Sequence, residues 1–372
     1  MSKSTAIAFF NSNPSWGGGE KWHFDMGCRL RQRGHHVVFF VQRGGELEQR
    51  VRESDFPYES VEISNYSFIN PVKSGRIKKL FQKHRVQSVI LNLPSDVKIA
   101  GLAAKRAGVQ KIIYRRGTAL PVHNNFFNRG LFRRVVTHIV TNSRETKSLL
   151  LKRNPRMVDT GKIHVIYNGI DFEAFERHQA EPAFNHREET LVLGNAGRFV
   201  EQKGHPFLLD VARKLKEKNV PFKLLLAGEG KLRDTIGEQV RREQLDDCVE
   251  FTGFISDIKA FMQSIDLFVL PSLWEGFGYV IVEAMACRKP VVAFDISSNP
   301  EIIRDGQNGF LVPMGDTDAF VERILELHRN PEKREEMGRR ARAFAEQHFN
   351  IHRTVKEIEE LVQSPENPGN RE

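Results

Sequence analysis

The chain has 372 residues, 40% hydrophobic and 28% charged, with three cysteines and a formal net charge of +9. That is the composition of a soluble globular protein with room for two ordinary domains. No apolar run approaches the roughly 18 residues a spanning helix needs. Cys28, Cys248 and Cys287 are scattered without metal-ligand spacing, which fits a reducing cytoplasm.

The charge is unevenly spread. Residues 1–180 carry 30 Lys and Arg against 14 Asp and Glu, a net +16, whereas residues 181–372 carry 26 against 33, a net −7. A basic half implies an acidic partner: nucleic acid, anionic lipid headgroups or a phosphorylated substrate.

The first element is the run Ala6-Ile7-Ala8-Phe9-Phe10, ending at Asn11. It is too short for a signal-peptide core and reads as a strand. Gly17-Gly18-Gly19-Glu20 follows and opens an amphipathic segment that closes at Arg33-Gly34-His35. Glycines at such a turn let backbone N–H groups approach a phosphate or sugar, although a tight turn without a ligand also uses them. Further strands are predicted at 37–41, 89–93, 112–115, 138–141 and 164–167. Residues 126–140 mix Phe127, Leu131, Phe132 and Val135 with Arg129, Arg133 and Arg134. A helix packed on the sheet accounts for the apolar face, and an anionic membrane surface is the alternative. Residues 172–188 are polar, lack strand character and mark a domain boundary.

In the second half, strands are predicted at 191–196, 223–227, 249–252, 267–270 and 291–294. Strands alternating with helical patterns indicate two doubly wound α/β domains. After the first of these strands comes Gly197-Arg198, with Lys203-Gly204 five residues on. Arg by its planar fork and Lys as a point charge could clamp a diphosphate there, or both could be solvated surface charges. Ala227-Gly228-Glu229-Gly230 ends the next strand. Pro271 ends a later one, and Glu275 lies in the loop before a short helix predicted at 279–287. Glu283 lies about one turn inside that helix and can face the same crevice as Glu275, with an anion-attracting helix N-terminus between them. All these loops belong to the carboxyl edge of parallel strands, where open α/β sheets bind ligands. Asp316-Thr317-Asp318 could hold a divalent cation, but Asp316 as a helix N-cap is the better reading, and no other carboxylate cluster suits a metal. Short helices are predicted at 324–327 and 340–349, and a polar tail at 364–372.

Taken together, these motifs resemble the retaining GT-B glycosyltransferases of the family-four type over nearly the whole chain. Carrying the resemblance are Gly17-Gly18-Gly19-Glu20 with Gly34-His35, Tyr167-Asn168-Gly169-Ile170-Asp171, Gly197-Arg198 with Lys203-Gly204, Phe251-Thr252-Gly253-Phe254, and Pro271-Ser272 through Glu275-Gly276-Phe277-Gly278 to Glu283-Ala284. The resemblance implies an α/β GT-B fold of two Rossmann-like domains facing each other across a cleft. The expected division is 1–175 on the acceptor side, 176–345 for the nucleotide sugar, and 346–372 as a C-terminal helix and tail. It implies that Arg198 and Lys203 bind and stabilise the departing diphosphate, and that Glu283 holds the donor ribose. Glu275, with Phe277 and Gly278, would hold the sugar; Gly18, Gly228 and Tyr279 complete the donor site. Catalysis would be front-face displacement with retention, with a nucleotide sugar as co-substrate and neither cofactor nor metal. Two departures stand out. Arg116 occupies the place where the family often has a sugar-contacting histidine, and Ser298-Asn299 precedes Pro300-Glu301 where many members have two glycines.

The expected activity is therefore transfer of a sugar to an anionic glycan or glycolipid, such as a lipopolysaccharide core, at or near the inner membrane face. Arg115, Arg116, Arg129, Arg133 and Arg134 are the candidate acceptor-side residues. An epimerase of the same architecture would need no acceptor. A nucleic-acid-binding protein would use the basic half, but no recognised nucleic-acid motif is present.

Overall fold

The computed structural model describes residues 4–64, 66–184 and 190–364. The chain divides into two compact units, one of residues up to 168 together with those from 352 onward, the other of residues 169–351. The sequence places the boundary at 175/176 and sets the C-terminal segment apart.

The first unit holds β1 (Ala6–Asn11), β2 (His36–Gln42), β3 (Tyr58–Val61), β4 (Ser88–Leu91), β5 (Lys111–Arg116), β6 (His138–Thr141) and β7 (Ile163–Val165). They form one sheet in the order β3-β2-β1-β4-β5-β6-β7, with every adjacent pair parallel. The second unit holds β8 (Leu191–Ala196), β9 (Phe222–Ala227), β10 (Val249–Gly253), β11 (Leu267–Leu270), β12 (Val291–Phe294) and β13 (Gly309–Val312). Its sheet runs β10-β9-β8-β11-β12-β13 and is parallel throughout. Both sheets are doubly wound, as the alternation of apolar and mixed segments implies.

Strands covered on both faces read as unbroken apolar runs, and all four residues of β11 and of β12 are buried. In the first unit Phe10 stacks on Phe40 at 5.6 Å and Phe40 packs on Phe81 at 4.9 Å. In the second, Phe207 meets Phe294 and Phe320 edge-on at 4.7 and 5.3 Å. Such aromatic pairs add to the burial of large apolar surface.

The sequence reading lacks β3 and β13, both short edge strands. It also shortens two helices, which run Thr317–Arg329 and Pro331–His348. The polar boundary stretch contains the helix Phe172–Arg177, and its residues 185–189, like 365–372 of the predicted tail, lie outside the described residues. The last helix, Ile351–Gln363, returns to the first unit. There Glu359 bonds Arg33 and His35, Ser88 Oγ donates to the Val362 carbonyl at 3.2 Å, and Thr354 Oγ1 donates to the Tyr167 carbonyl at 2.9 Å.

Where the chain enters and leaves the second unit, Ile170 N donates to the Phe349 carbonyl and Ile351 N to the Ile170 carbonyl, each at 2.9 Å. This brings Gly169 against backbone: a Cβ there would lie 2.6 Å from both Cα and N of Ile351. Backbone cannot yield as a flexible side chain can. Gly169→Ala should therefore destabilise the fold by ~1–3 kcal/mol, the usual range for overpacking, read as a lower urea midpoint. An unchanged midpoint would show that the crossing has slack.

Candidate functional site

In the second sheet the winding reverses between β8 and β11. At such a point the following helices leave toward opposite faces, the two strand-end loops splay apart, and a crevice opens beyond the carboxyl ends. The loops here are 197–204 and 271–278. They are tied across the reversal by Leu273 N donating to the Gln202 carbonyl at 2.7 Å and Gln202 Nε2 donating to the Trp274 carbonyl at 2.8 Å. Gly204 sits at φ +65°, and a Cβ there would strike the Pro271 carbonyl oxygen. Gly228, after β9, sits at φ +131°, where a Cβ would strike the Gly197 carbonyl oxygen. Both places need glycine, because main chain lies against main chain in conformations other residues rarely adopt.

The two loops meet through one ion pair. Lys203 Nζ lies 2.6 Å from Glu275 Oε1, with the side chains only 14% and 8% exposed. A pair this dry gains little net stability, because desolvation offsets most of the attraction. Its geometric effect is clearer: Glu275 fixes the ammonium at the crevice, and an ammonium with three protons keeps donors beyond that bond. Arg198 is exposed just past the end of β8. Phe277 is buried, edge-on to Tyr279 and Phe349 at 5.6 and 5.4 Å. Its ring thus anchors the turn that carries Glu275. Gly278, at φ +78°, caps the helix Tyr279–Ala286, and half-buried Glu283 lies one turn inside it.

Other groups here received no role from the sequence. Ser298 Oγ donates to the Glu275 carbonyl at 3.4 Å. Ser272 Oγ and Asn195 Oδ1 are buried without a hydrogen-bond partner, while Asn195 Nδ2 donates to the Val269 carbonyl at 2.7 Å. His205 opens the helix His205–Glu217, fully buried, its ring stacked on Phe199 at 4.3 Å and 10°. Neither ring nitrogen has a partner, and burial, aided by the Lys203 charge, lowers its pKa to about 4. Only its place beside Gly204 could have flagged it.

Arg198, Lys203, Gly228, Glu275, Phe277, Gly278, Tyr279 and Glu283 therefore all fall in the second unit, on or just beyond the ends of β8, β9 and β11. Gly18 belongs to the first unit, exposed at the start of the helix Gly18–Gln32. There Glu20 is buried and accepts from Asn11 Nδ2 at 3.1 Å and Asn92 Nδ2 at 3.0 Å. Asp96, fully buried, takes bonds from Ser12 Oγ and Leu93 N, and burial raises its pKa to about 7.

The five arginines do not form one surface group. Arg115 and Arg116 are buried at the end of β5, only 4% and 5% exposed, so a charged outer surface is the wrong place for them. Arg115 donates to Asn168 Oδ1 at 3.2 Å and lies over Trp22 at 5.0 Å. Arg129 is half-buried, and Arg133 and Arg134 are exposed on the helix Phe126–Arg134, whose Leu131 and Phe132 join the core together with Val135. That is a helix packed by its apolar face, with Arg133 Nη2 donating to the Arg156 carbonyl at 2.6 Å. Asp316 caps the helix Thr317–Arg329, accepting from Ala319 N at 2.9 Å, and Asp318 pairs with Lys214.

The chain is similar to known proteins. The family described as "Glycosyl transferases group 1" matches residues 176–344, and "Glycosyltransferase Family 4" matches residues 16–174. The chain is 25% identical over 366 residues to the N-acetyl-alpha-D-glucosaminyl L-malate synthase of Bacillus anthracis, covering 94% of each chain. It is 35% identical over 208 residues to the putative glycosyltransferase EpsD of Bacillus subtilis, a match spanning 54% of each, about half of that relative's length. The crystal structure of Anabaena HepE in complex with UDP and glucose shares the fold with a TM-score of 0.82 and 22% identity, covering 97% of this chain and all of that one.

His205 supplies a test by acidification. Its folded pKa lies below the unfolded value of about 6.5, so between these two values the unfolded chain binds the proton more readily. Its contribution is whole above pH 6.5 and is lost as pH falls toward 4. His205→Phe keeps a ring on Phe199 and removes the titration. Its melting temperature should drop less than the wild type's between pH 7.5 and 5; equal drops would exclude His205 as a source of acid sensitivity.

Proposed function

The chain belongs to the group 1 glycosyltransferases, and from that membership we propose that it moves a sugar, with retention and without a metal, from a nucleoside diphosphate to an anionic glycan or glycolipid. The observation that carries this reading is the Lys203–Glu275 pair at the strand-order reversal, with Arg198 exposed on the same loop as Lys203. Two cations at the carboxyl edge suit a diphosphate, and the charge that grows on a departing diphosphate is what preorganised cations stabilise best. In this reading the Arg198 fork and the Lys203 ammonium take the phosphate oxygens. The second Glu275 oxygen and the backbone of Phe277 and Gly278 hold the sugar hydroxyls, and Glu283 takes the ribose hydroxyls. A relative crystallised with UDP and glucose supports a uridine nucleotide as the first donor to try. The +16 balance of residues 1–180 supports an acceptor carrying negative charge, a lipopolysaccharide core among the candidates. No helix among the described residues is long and apolar enough to cross a membrane, so a membrane-linked acceptor would be met at the surface.

The ribose assignment is tested with free UDP. A lost charge-assisted hydrogen bond costs on the order of 1.5–3 kcal/mol. Glu283→Ala should then weaken UDP and UDP-glucose alike, by about ten- to a hundredfold in calorimetric titration. A folded variant with wild-type UDP affinity would remove Glu283 from the site.

The cations have a different signature. Arg198→Ala and Lys203→Ala should lower kcat by a larger factor than they weaken UDP, because the interaction strengthens as the leaving group departs. Donor turnover should persist in EDTA. Activity lost on chelation and restored by magnesium or manganese would defeat the metal-free mechanism.

A further inference from the structure

Within the first unit, a cavity of about 280 Å³ lies beyond the ends of β4 and β5. Its walls are mostly apolar, from Pro94, Val97, Leu120, Val122, Leu131 and Phe132, and its polar lining is dominated by Arg116, Lys98 and His123. Among the described residues no Asp or Glu lines it. Arg116 is 5% exposed, and its partners are neutral: Nη1 donates to Tyr114 OH at 3.4 Å and Nη2 to the Leu120 carbonyl. Its Nε is buried with no partner, and among the described residues no carboxylate forms an ion pair with it.

A guanidinium cannot shed its charge by deprotonating, and buried charges in folded proteins are normally paired. Here the chain withdraws a permanent cation from water, points no acid at it, and leaves a small apolar-walled space beside it. We propose that this cavity binds a small oxyanion, a carboxylate or phosphate, borne on a compact and partly apolar body. The planar fork of Arg116 matches either group in a bidentate manner. Half-buried Lys98 lines the same cavity and adds a second positive charge. The volume is near the lower end of small-molecule sites, roughly 300–1,000 Å³, so it takes one sugar-sized fragment or less. On the glycosyltransferase reading, with which it shares the anionic acceptor, this is the pocket that recognises the acceptor's charge.

The test uses the full chain without donor. Glycerol 3-phosphate, succinate and neutral glycerol are titrated calorimetrically at constant ionic strength. Binding of one or both anions, with none of glycerol, is expected, and which anion binds tells phosphate from carboxylate. Arg116→Met should lower the affinity by about ten- to a hundredfold while leaving UDP binding intact. Lys98→Met, at a separate position, should lower it by a smaller factor and serves if the first variant does not fold. Removing an uncompensated charge should also leave the melting temperature of Arg116→Met unchanged or raised. A fall in stability with anion affinity retained would make Arg116 merely the pin for the Leu120 carbonyl. A protein that binds UDP but neither anion would overturn the cavity assignment and leave the transferase reading standing, whereas anion binding without UDP binding would do the reverse.

Discussion

A parallel sheet whose winding reverses beside its first strand cannot cover the carboxyl ends at the reversal, because the connections depart to opposite faces. Between β8 and β11 the chain closes the floor of that gap with main-chain hydrogen bonds and keeps one charged contact across it, Lys203 to Glu275. Each neighbouring feature follows from keeping that contact in place. Gly204 and Gly228 let the loops touch without side chains between them. The buried ring of Phe277 fixes the turn that carries Glu275. His205, stacked and neutral, fills the space behind Lys203 without adding a competing charge.

Much of this was legible because buried parallel strands announce themselves. β1, β6, β8, β11 and β12 have the boundaries their apolar runs suggest. β3, with Glu59 and Ser60 in its four residues, and β13, which begins on Gly309, are edge strands packed on one side only, so their composition resembles loop. The long helices 317–329 and 331–348 were cut short because their exposed turns carry few apolar residues. The home of the last helix was not readable at all: its apolar stripe predicts burial against something, and the bonds of Glu359 to Arg33 and His35 and of Ser88 to Val362 show what.

At the site, residue types were readable and pairings were not. Glycines, two cations and two glutamates were read as lying on strand-end loops, and the structure places Gly197, Arg198, Lys203, Gly228 and Glu275 on them. Nothing local links Lys203 to Glu275, which are 72 positions apart and meet only because β8 and β11 are neighbours in the sheet. The arginines, grouped by their closeness in sequence, are divided by burial. Arg115-Arg116 looks like surface charge, since arginine is seldom buried, yet the end of β5 is overlaid by the segment whose Leu120 carbonyl Arg116 holds. Net charge counts such residues as outward-facing when their field points into a cavity.

The two sheets share an order about their reversals, 3-2-1-4 in each unit's own strand sequence, and so present two equivalent crevices. They are furnished oppositely. At the β1–β4 reversal, Glu20 and Asp96 are turned inward and accept hydrogen bonds from Asn11, Asn92, Ser12 and Leu93. Burial favours the neutral form of Asp96 near pH 7, so that crevice is held by hydrogen bonds and offers a phosphate no fixed counter-charge from this pair. At the β8–β11 reversal the carboxylate instead holds an ammonium in place, and Arg198 is exposed on the same loop. The same topology can therefore host a charged leaving group in one unit and leave the other free to recognise something else. What separates them is whether the acid on the loop binds amides or a cation.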